Sequence, residues 1–390
     1  MKKLVITSGY MWSYFQWFLL GFYKLDKKKD IKLRIDLPIA QKACFWFVSD
    51  FANRAAKRLS LACGKKSYCM DGYLEENGRK IKFTIDCADA PYLFDYERLK
   101  QVDVYFKMQY PTCIDEEDFT LCKDVHIPWC NSGVQGTKTV ENHGIIYDFS
   151  EYKHKVLPLM IGPRRLATGN NYTLLNDSYE RYVKGYKEKK EKKVMCYFGN
   201  AKGPELKDGI TEQNVDYSSE SDVNSLFRDR ISHPNEKREI ISDYLESLGD
   251  DYDARLISRG NADSLSEKNE KLVIPLKDFC DHISLFEYNV NVSGYHLSIP
   301  NRFIESFIVG TAIITDKLKV KWYLPFDEAE VFETVEMGYA KEEDVDWDQF
   351  YRDIKSLSRT SPSEIKKCFE RKWSPEAVAN YIIKALEQKR

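Results

Sequence analysis

The pair of residues in this sequence with the clearest chemical meaning is an arginine and a glutamate three positions apart, Arg302 and Glu305. They follow an apolar run, Asn289–Val292, and a Ser293-Gly294 turn, and helical spacing places both on one face of a helix. A guanidinium pairs with phosphate oxygens, and a carboxylate accepts hydrogen bonds from sugar hydroxyls. The spacing therefore predicts a site for a phosphorylated sugar ligand; the alternative is a surface ion pair that contributes little to stability.

Polar residues and glycines near this pair extend the predicted ligand site. Backbone N–H groups at a turn and before a helix are suited to an anion, and a histidine and a lysine lie nearby. The set consists of Gly294, His296, Ser298 and Asn301 beside the helix, and of Gly199 and Lys202 in the loop after the predicted strand Val194–Phe198. A structural or surface role for His296 and a solvated position for Lys202 fit the sequence equally well.

Two carboxylates three positions apart, Asp86 and Asp89, follow the predicted strand Ile81–Ile85. One of them can take a proton from an acceptor hydroxyl while the other orients that group. Aspartates in such loops also form Asx turns and helix N-caps, and the two interpretations are balanced. Lys107, after the predicted strand Val102–Phe106, can hold an anionic acceptor or orient Asp86, or it is simply a solvated lysine at the edge of the site.

These residues must be positioned by a chain that alternates apolar strands with helical stretches. In the first half the predicted elements are strands at Leu4–Thr7, Leu33–Asp36, Ile81–Ile85, Val102–Phe106 and Gly144–Asp148, and a basic amphipathic helix at Asp50–Leu61. Residues Gly72–Ile81 predict a hairpin with Asn77-Gly78 at its tip. The second half continues with a strand at Val194–Phe198, a helix at Asn235–Leu248, a strand at Ala254–Ile257, a helix at Pro275–Ser284 and the strand-helix-strand unit around Arg302.

The charge run Lys184–Lys193 is predicted to be a solvated linker between these halves. We therefore expect an α/β fold with two Rossmann-like domains that face a cleft, one at residues 1–185 and one at residues 186–373. The tail from Ser374 has a serine N-cap, an early proline and apolar residues at helical spacing. Residues 374–390 are therefore predicted to form a helix that packs back on the first domain.

Composition excludes several classes of function. The formal net charge of -2 disfavours nucleic acid as a partner. The cysteines form no CxxC pair and no zinc spacing, so we expect free thiols and no metal. Asp251-Tyr252-Asp253 has the D-x-D form of a metal-binding motif, but its acidic surroundings favour an ordinary turn. The chain has no P-loop, G-x-G-x-x-G, G-x-S-x-G or H-E-x-x-H motif, which argues against NTPases, dehydrogenases, hydrolases and zinc proteases.

The apolar, aromatic stretch Met11–Tyr23 has two interpretations. It follows the predicted strand Leu4–Thr7 and a glycine, so we expect it to be the first helix of a Rossmann-like domain rather than a signal peptide. The second interpretation is a helix on a membrane surface, with its tryptophan and phenylalanine side chains in the lipid. No apolar run reaches the roughly 18–20 residues of a membrane span. We expect a cytoplasmic protein, with peripheral contact to the inner face of a membrane as the second interpretation.

The organisation and the segment around Arg302 resemble glycosyltransferases of the GT-B fold, and within them bacterial exostosin-like enzymes of capsule or O-antigen synthesis. The resemblance is carried by Val290–Gly294, by Arg302-Phe303-Ile304-Glu305-Ser306 and by Gly310–Ile314. A weaker likeness is Asp103–Tyr110, which is similar to a D-x-Y-F-K-x-x-Y stretch of those enzymes. Together these motifs cover about 60 residues; the rest of the chain matches in architecture only.

The resemblance implies a metal-independent transferase without a cofactor, with a nucleotide-sugar donor as co-substrate and a glycan or lipid-linked glycan as acceptor. Residues 186–373 would bind the donor, and residues 1–185 would bind the acceptor through Lys107 and Tyr110. Many retaining members carry Glu-x7-Glu, and Leu297 stands at the first of these positions here, which favours inversion. A non-catalytic nucleotide- or sugar-binding protein and a nucleotide-sugar epimerase of the same architecture are the alternatives.

Overall fold

The computed structural model describes residues 2–48, 68–88, 91, 94–115, 120–122, 146–148, 150–163, 166–199, 234–257, 276–293, 298–335, 337 and 345–389. The predicted helix at Asp50–Leu61 lies outside these residues. The first half contains, in chain order, β1 (Lys3–Ser8), α1 (Trp12–Lys28), β2 (Lys32–Ile35), α2 (Ile39–Trp46), β3 (Cys69–Glu76), β4 (Arg79–Asp86), α3 (Tyr96–Gln101), β5 (Val104–Lys107), β6 (Tyr110–Pro111), a 3₁₀ turn (Thr112–Asp115), β7 (Thr120–Cys122), β8 (Ile146–Asp148), α4 (Ser150–Lys153), β9 (Val156–Pro158) and α5 (Tyr172–Lys184).

The second half continues the alternation and ends in three helices. Its elements are β10 (Lys192–Gly199), α6 (Pro234–Ser247), β11 (Tyr252–Ile257), α7 (Leu276–Ile283), β12 (Phe286–Asn291), α8 (Arg302–Ile308), β13 (Ala312–Thr315), β14 (Val320–Lys321), β15 (Val331–Glu333), α9 (Trp347–Ser356), α10 (Pro362–Lys372) and α11 (Pro375–Glu387). The mixed α/β class expected from the sequence is confirmed.

Six of the described strands form a mixed sheet in the order β2-β1-β3-β4-β5-β9. β3 is antiparallel to both of its neighbours, whereas β1 with β2, β4 with β5 and β5 with β9 run parallel. β3 and β4 are antiparallel because they form the predicted hairpin. Asn77 and Gly78 both have positive φ (53° and 79°), the conformation of a tight hairpin turn, so β3 reverses directly into β4. Asp86 and Lys107 end β4 and β5, two adjacent strands that run parallel.

Five of the described strands form a second sheet, which is parallel throughout, in the order β11-β10-β12-β13-β15. Its central strands are buried apolar runs, as expected where helices cover both faces. The chain leaves β10 for β11 on one side and then crosses to β12 on the other side. The strand order therefore reverses between β10 and β12, and such a switch point is where open parallel sheets bind ligands.

Helix α1 is a core element of the first half. Its large side chains Trp12, Phe15, Trp17 and Phe18 are buried, so the interpretation of α1 as a membrane-surface helix is wrong. Helix α11 packs along α1 at close range, because Gly21 lies against the backbone of Pro375 and the side chain of Ala379. Among the described residues, no helix combines the length and the apolar character needed to cross a membrane.

Helix α11 is anchored at its start and at its middle. Ser374 is its N-cap, as predicted, and accepts a hydrogen bond from the N–H of Ala377. Just before the helix, the indole of Trp17 donates to the carbonyl of Trp373 at 3.0 Å. Further along, the Tyr381 hydroxyl donates to the carbonyl of Pro158 in the first sheet at 2.9 Å. The last helix of the described chain thus packs on its first helix and first sheet.

Segments that leave the carboxyl ends of the two sheets meet each other. The side-chain amide of Gln109 donates to the carbonyl of Ile299 at 2.9 Å and accepts from its N–H at 3.0 Å. β6 pairs with β14 as an antiparallel ladder, with Tyr110 opposite Lys321. These contacts bring the residues that follow β5 against the residues that follow β12 and β13.

Five of the ten residues in the charge run between the halves are exposed, and the other five are half-buried. The ammonium of Lys190 donates to the carbonyls of Ser284 (3.1 Å) and Val309 (2.7 Å) and to the hydroxyl of Thr311 (3.2 Å). The two carbonyls directly follow α7 and α8, where a cation is favoured by the helix dipole. The prediction of a fully solvated run is therefore wrong at Lys190, which fixes the start of the second sheet to two helix ends.

Candidate functional site

The strands β10 and β12 are paired only over part of their length. Their ladder runs from Lys192 opposite Phe286 to Met195 opposite Asn289. On its other side β10 continues in register with β11 as far as Gly199. Beyond Met195, β10 is therefore bonded on one side only, at the carboxyl end and at the switch point of the sheet. A space between separated strands at this place is where phosphate-bearing ligands of such sheets bind.

Two arginines lie at this position, one from each neighbouring helix. The guanidinium carbons of Arg238 on α6 and Arg302 on α8 both lie 5.6 Å from the ring centroid of Phe198. Arg238 donates to the carbonyl of Val292 at 3.3 Å, and Arg302 donates to the carbonyl of Val290 at 3.4 Å. We call Phe198, Arg238 and Arg302 the switch-point site.

The geometry of the switch-point site concentrates positive charge. Because both guanidinium groups contact one ring, they are at most about 11 Å apart. Burial lowers the pKa of Arg302, but a guanidinium stays charged at any physiological pH. Arg238 is buried and Arg302 is half-buried. Two cations at this distance repel each other, and an anion between them removes that repulsion.

Arg302 and Glu305 do not form the surface ion pair that their spacing allowed. Among the described residues Arg302 has no carboxylate within ion-pair distance, and its guanidinium instead contacts Phe198 and Val290. Glu305 is buried one turn further along α8. Its charge lies close enough to Cys280 on α7 to add to the effect of burial, which raises the pKa of that thiol well above its usual value.

A buried polar chain lies at the carboxyl ends of β12 and β13. The amide of Asn291 donates to the hydroxyl of Thr315 at 3.0 Å, and that hydroxyl donates to Asp316 at 3.0 Å. Ser293 also donates to Asp316, through its hydroxyl at 2.8 Å and through its N–H at 3.2 Å. Burial raises the pKa of Asp316 to about 6 despite these donors. The network holds the Ser293 end of the predicted turn in place.

The remaining predicted donor residues are partly described. Gly199 ends β10 beside the switch-point site. Ser298 and Asn301 precede α8, and the side-chain amide of Asn301 donates to the carbonyl of Gly162 instead of capping the helix. The predicted residues Lys202, Gly294 and His296, and Leu297 with them, lie outside the described residues.

The predicted acceptor-side residues Asp86 and Lys107 are both buried and bonded to each other. Lys107 Nζ lies 3.0 Å from Asp86 Oδ2, and the Tyr105 hydroxyl donates to the same oxygen at 2.6 Å. The N–H of Ala88 donates to Asp86 Oδ1 at 2.8 Å. Burial and the charge of Asp86 raise the pKa of Tyr105 well above its usual value. Lys107 thus orients Asp86, one of its predicted roles; Asp89 lies outside the described residues.

Tyr110 lies in the ladder that joins the two halves. Its side chain is buried, and its hydroxyl donates to Asp115 at 3.0 Å. Lys321, its partner in β14, has its ammonium 5.1 Å from the Tyr110 ring centroid. Tyr110 therefore lies in the connection between the two sheets.

One group of potential metal ligands occurs among the described residues: Asp327, Glu330 and Cys368. The ammonium of Lys372 lies 2.8 Å from Asp327 and 2.9 Å from Glu330. The cation for these carboxylates is therefore the lysine itself. Asp253 of the D-x-D motif is likewise engaged, by Arg255 at 3.0 Å and by His282 at 3.2 Å.

Arg238 was not among the residues singled out from the sequence. It lies near the start of the predicted helix Asn235–Leu248, next to Lys237, which is also buried. Two adjacent basic residues near a helix N-terminus oppose the helix dipole, and that was the available signal for an anion site.

No protein-family model and no curated protein matches this chain.

Proposed function

We propose that this chain is a glycosyltransferase that moves a sugar from a nucleotide-sugar donor to a glycan or lipid-linked acceptor in surface polysaccharide synthesis. The observation that carries the proposal is the pair of arginines around Phe198 at the point where β10 and β12 separate. This is the position in an open parallel sheet at which the phosphates of nucleotides bind. The resemblance of the segment around Arg302 to the donor site of GT-B enzymes supports the same assignment.

The two guanidinium groups suit the chemistry of the transfer. The bond between the anomeric carbon and the phosphate oxygen breaks, and its electron pair stays on the nucleoside diphosphate. The acceptor oxygen bonds to the anomeric carbon, and its proton passes to a base. Fixed cations at the departing phosphate stabilise the charge that develops in the transition state. Arg302 and Arg238 are positioned before the ligand arrives, so little reorganisation is required.

The contacts between the halves support a cleft. Gln109 and the β6–β14 ladder hold the residues after β5 against the residues after β12 and β13. In this proposal residues 186–373 bind the donor and residues 1–185 bind the acceptor, with Asp86 near the acceptor hydroxyl.

The first test is nucleotide binding. A thermal-shift screen with UDP-, GDP-, CMP- and dTDP-sugars identifies the donor, and calorimetry then measures its affinity. Arg302→Ala and Arg238→Ala are each expected to weaken nucleotide binding about tenfold or more, because each removes a charge-assisted contact to phosphate. Arg352→Ala, which changes an exposed arginine of α9, is the matched control and should leave affinity unchanged. Unaltered affinity in both switch-point variants would remove the proposal's central claim.

A second candidate function is a non-catalytic nucleotide- or sugar-binding protein. The observation that favours it is the saturation of Asp86, whose oxygens accept from Tyr105, Lys107 and Ala88. A transferase should release nucleotide slowly from its donor without acceptor, and Asp86→Asn should abolish transfer while leaving donor binding intact. Donor binding without any turnover would favour the second candidate.

A further inference from the structure

The end of strand β12 carries the two backbone carbonyls to which the arginines of the switch-point site are bonded. Arg302 donates to the carbonyl of Val290, and Arg238 donates to the carbonyl of Val292. Backbone groups of alternate residues in a strand point to the same side, so both carbonyls face the side on which the ladder with β10 has ended. The two guanidinium groups therefore lie along the edge of β12 that β10 leaves open.

The opposite side of the same strand end is held by β13 and by the aspartate that follows it. The last pair of that ladder joins Asn291 to Thr315, where β13 ends. Ser293 lies two residues further and directs its N–H toward the same side. Asp316 accepts from this N–H at 3.2 Å and from the Ser293 hydroxyl at 2.8 Å. The carboxylate thus continues the hydrogen bonding of the sheet beyond its last pair.

One peptide group, the one between Val292 and Ser293, links Asp316 to Arg238. Its carbonyl accepts from Arg238, and its N–H donates to Asp316. In a trans peptide these two groups point in opposite directions, so the carboxylate, the peptide and the guanidinium form a chain of hydrogen bonds. A hydrogen bond at one end of such a chain polarises the peptide and strengthens the bond at the other end. Both charged side chains are buried, so water screens this effect little.

We propose that Asp316 is a positioning residue of the switch-point site, and that it holds Arg238 in place for the phosphates of the ligand through the Val292–Ser293 peptide. The carboxylate fixes the direction of the Val292 carbonyl, and that carbonyl holds the guanidinium beside Phe198. An arginine that is in place before the anion arrives loses less conformational freedom on binding. The inference rests on the proposed phosphate site, and it assigns Asp316 an effect on binding that requires no contact with the ligand.

A role of Asp316 in stability alone would favour an uncharged side chain. Burial raises the pKa of Asp316 to about 6, so the carboxylate is ionised at neutral pH at a cost in stability. An asparagine has nearly the same size and carries no such cost. Its neutral amide, however, polarises the Val292–Ser293 peptide less than a carboxylate does. Asp316→Asn therefore separates the two roles.

The test is a double-mutant cycle on the binding of inorganic pyrophosphate to the full chain, measured by calorimetry at neutral pH. Asp316→Asn is expected to weaken binding about fivefold, because Arg238 is held less firmly. In the Arg238→Ala background the same change should have less than about a twofold effect, since the residue through which it acts is absent. In the Arg302→Ala background the effect should persist in full.

Asp353→Asn on α9 is the matched control. Asp353 also accepts from a threonine hydroxyl, that of Thr334 at 2.9 Å, but it has no contact with the switch-point site among the described residues. Asp353→Asn should bind pyrophosphate as the native chain does.

A second readout uses the chain without any ligand. In NMR spectra of the arginine Nε–H groups, the resonance that Arg238→Ala removes should shift in Asp316→Asn, and the resonance that Arg302→Ala removes should move less. The inference is overturned if Asp316→Asn binds pyrophosphate as the native chain does, if its effect is undiminished in the Arg238→Ala background, or if the Arg238 resonance does not move. Unchanged binding in Arg238→Ala would instead remove the proposed phosphate site, while the resonance still decides the link from Asp316 to Arg238.

Discussion

At the scale of single residues, several buried charges among the described residues have defined partners. Lys107 and Asp86 are paired with each other, Lys372 is paired with Glu330, and Lys190 lies on two helix-end carbonyls. Arg302 differs, since its contacts are a carbonyl and the face of an aromatic ring. The charge of Glu305, one turn along the same helix, acts on Arg302 without forming an ion pair with it. In the proposed function a phosphate adds the direct contact to an anion that Arg302 does not make with a described carboxylate.

Asp316 gives a pH-dependent prediction at the same scale. Its folded pKa of about 6 lies above the value near 3.9 of an unfolded aspartate, so the folded chain binds more protons between these values. The protonated carboxyl therefore contributes fully to the free energy of unfolding below about pH 4. This contribution, roughly 3 kcal/mol at most, is lost as the pH rises through 6. Asp316→Asn removes this titration.

The measurement is urea unfolding of both proteins from pH 4 to 7. The native chain should lose stability relative to Asp316→Asn across that range. Parallel pH profiles would show that the donors Ser293 and Thr315 offset the cost of burying the carboxylate.

At the scale of elements, α1 and α11 approach so closely that the contact depends on one glycine. A Cβ at Gly21 would lie 2.0 Å from the carbonyl oxygen of Pro375 and 2.7 Å from the side chain of Ala379. The Pro375 backbone and the Ala379 methyl are both rigid, so neither can move aside as a flexible side chain could. Helix α11 is thereby held at one fixed distance from the first helix.

Gly21→Ala is expected to lower the free energy of unfolding by about 2–3 kcal/mol, because the helices must separate. In a helix without such a neighbour the same change adds stability of about 1 kcal/mol through helix propensity. The sign of the change in the free energy of unfolding, measured by denaturant, therefore distinguishes the two cases. A gain in stability would contradict the close packing of α1 on α11.

Sequence patterns predicted most of these elements because their signals are local. The hairpin at Asn77-Gly78, the serine cap of α11 and the strand-helix-strand unit at Arg302 each depend on residues within one or two turns. The switch-point site was only half predicted. Arg238 meets Arg302 through the order of strands in the sheet, and no local spacing encodes that order. Likewise, the exposed side of α2 is decided by Trp12 and Asn170, which are distant in sequence.

At the scale of the whole molecule, the two halves share one apolar core, and specific polar contacts join them as well. Among these contacts, the side chain of Gln109 makes two hydrogen bonds to Ile299: it donates to the carbonyl and accepts from the N–H. Gln109→Leu keeps the size of the side chain but leaves a buried N–H and a buried carbonyl without a partner. We expect a loss of about 3 kcal/mol in the free energy of unfolding.

The measurement for Gln109→Leu is denaturant unfolding beside Gln388→Leu, a matched change at an exposed position after α11. The control should alter stability by less than about 0.5 kcal/mol. If Gln109→Leu behaves like the control, the contact does not contribute to holding the halves together.

The packing of α11 on α1 has a consequence for how the protein is made. Residues 375–387 cover helix α1, residues 12–28, which is synthesised long before them. The apolar surface around Gly21 therefore stays uncovered while the intervening residues are translated, and the N-terminal half cannot complete its core on its own. Contacts of such long sequence separation slow folding and expose nascent chains to aggregation. Truncations that remove α11 should accordingly accumulate as insoluble protein.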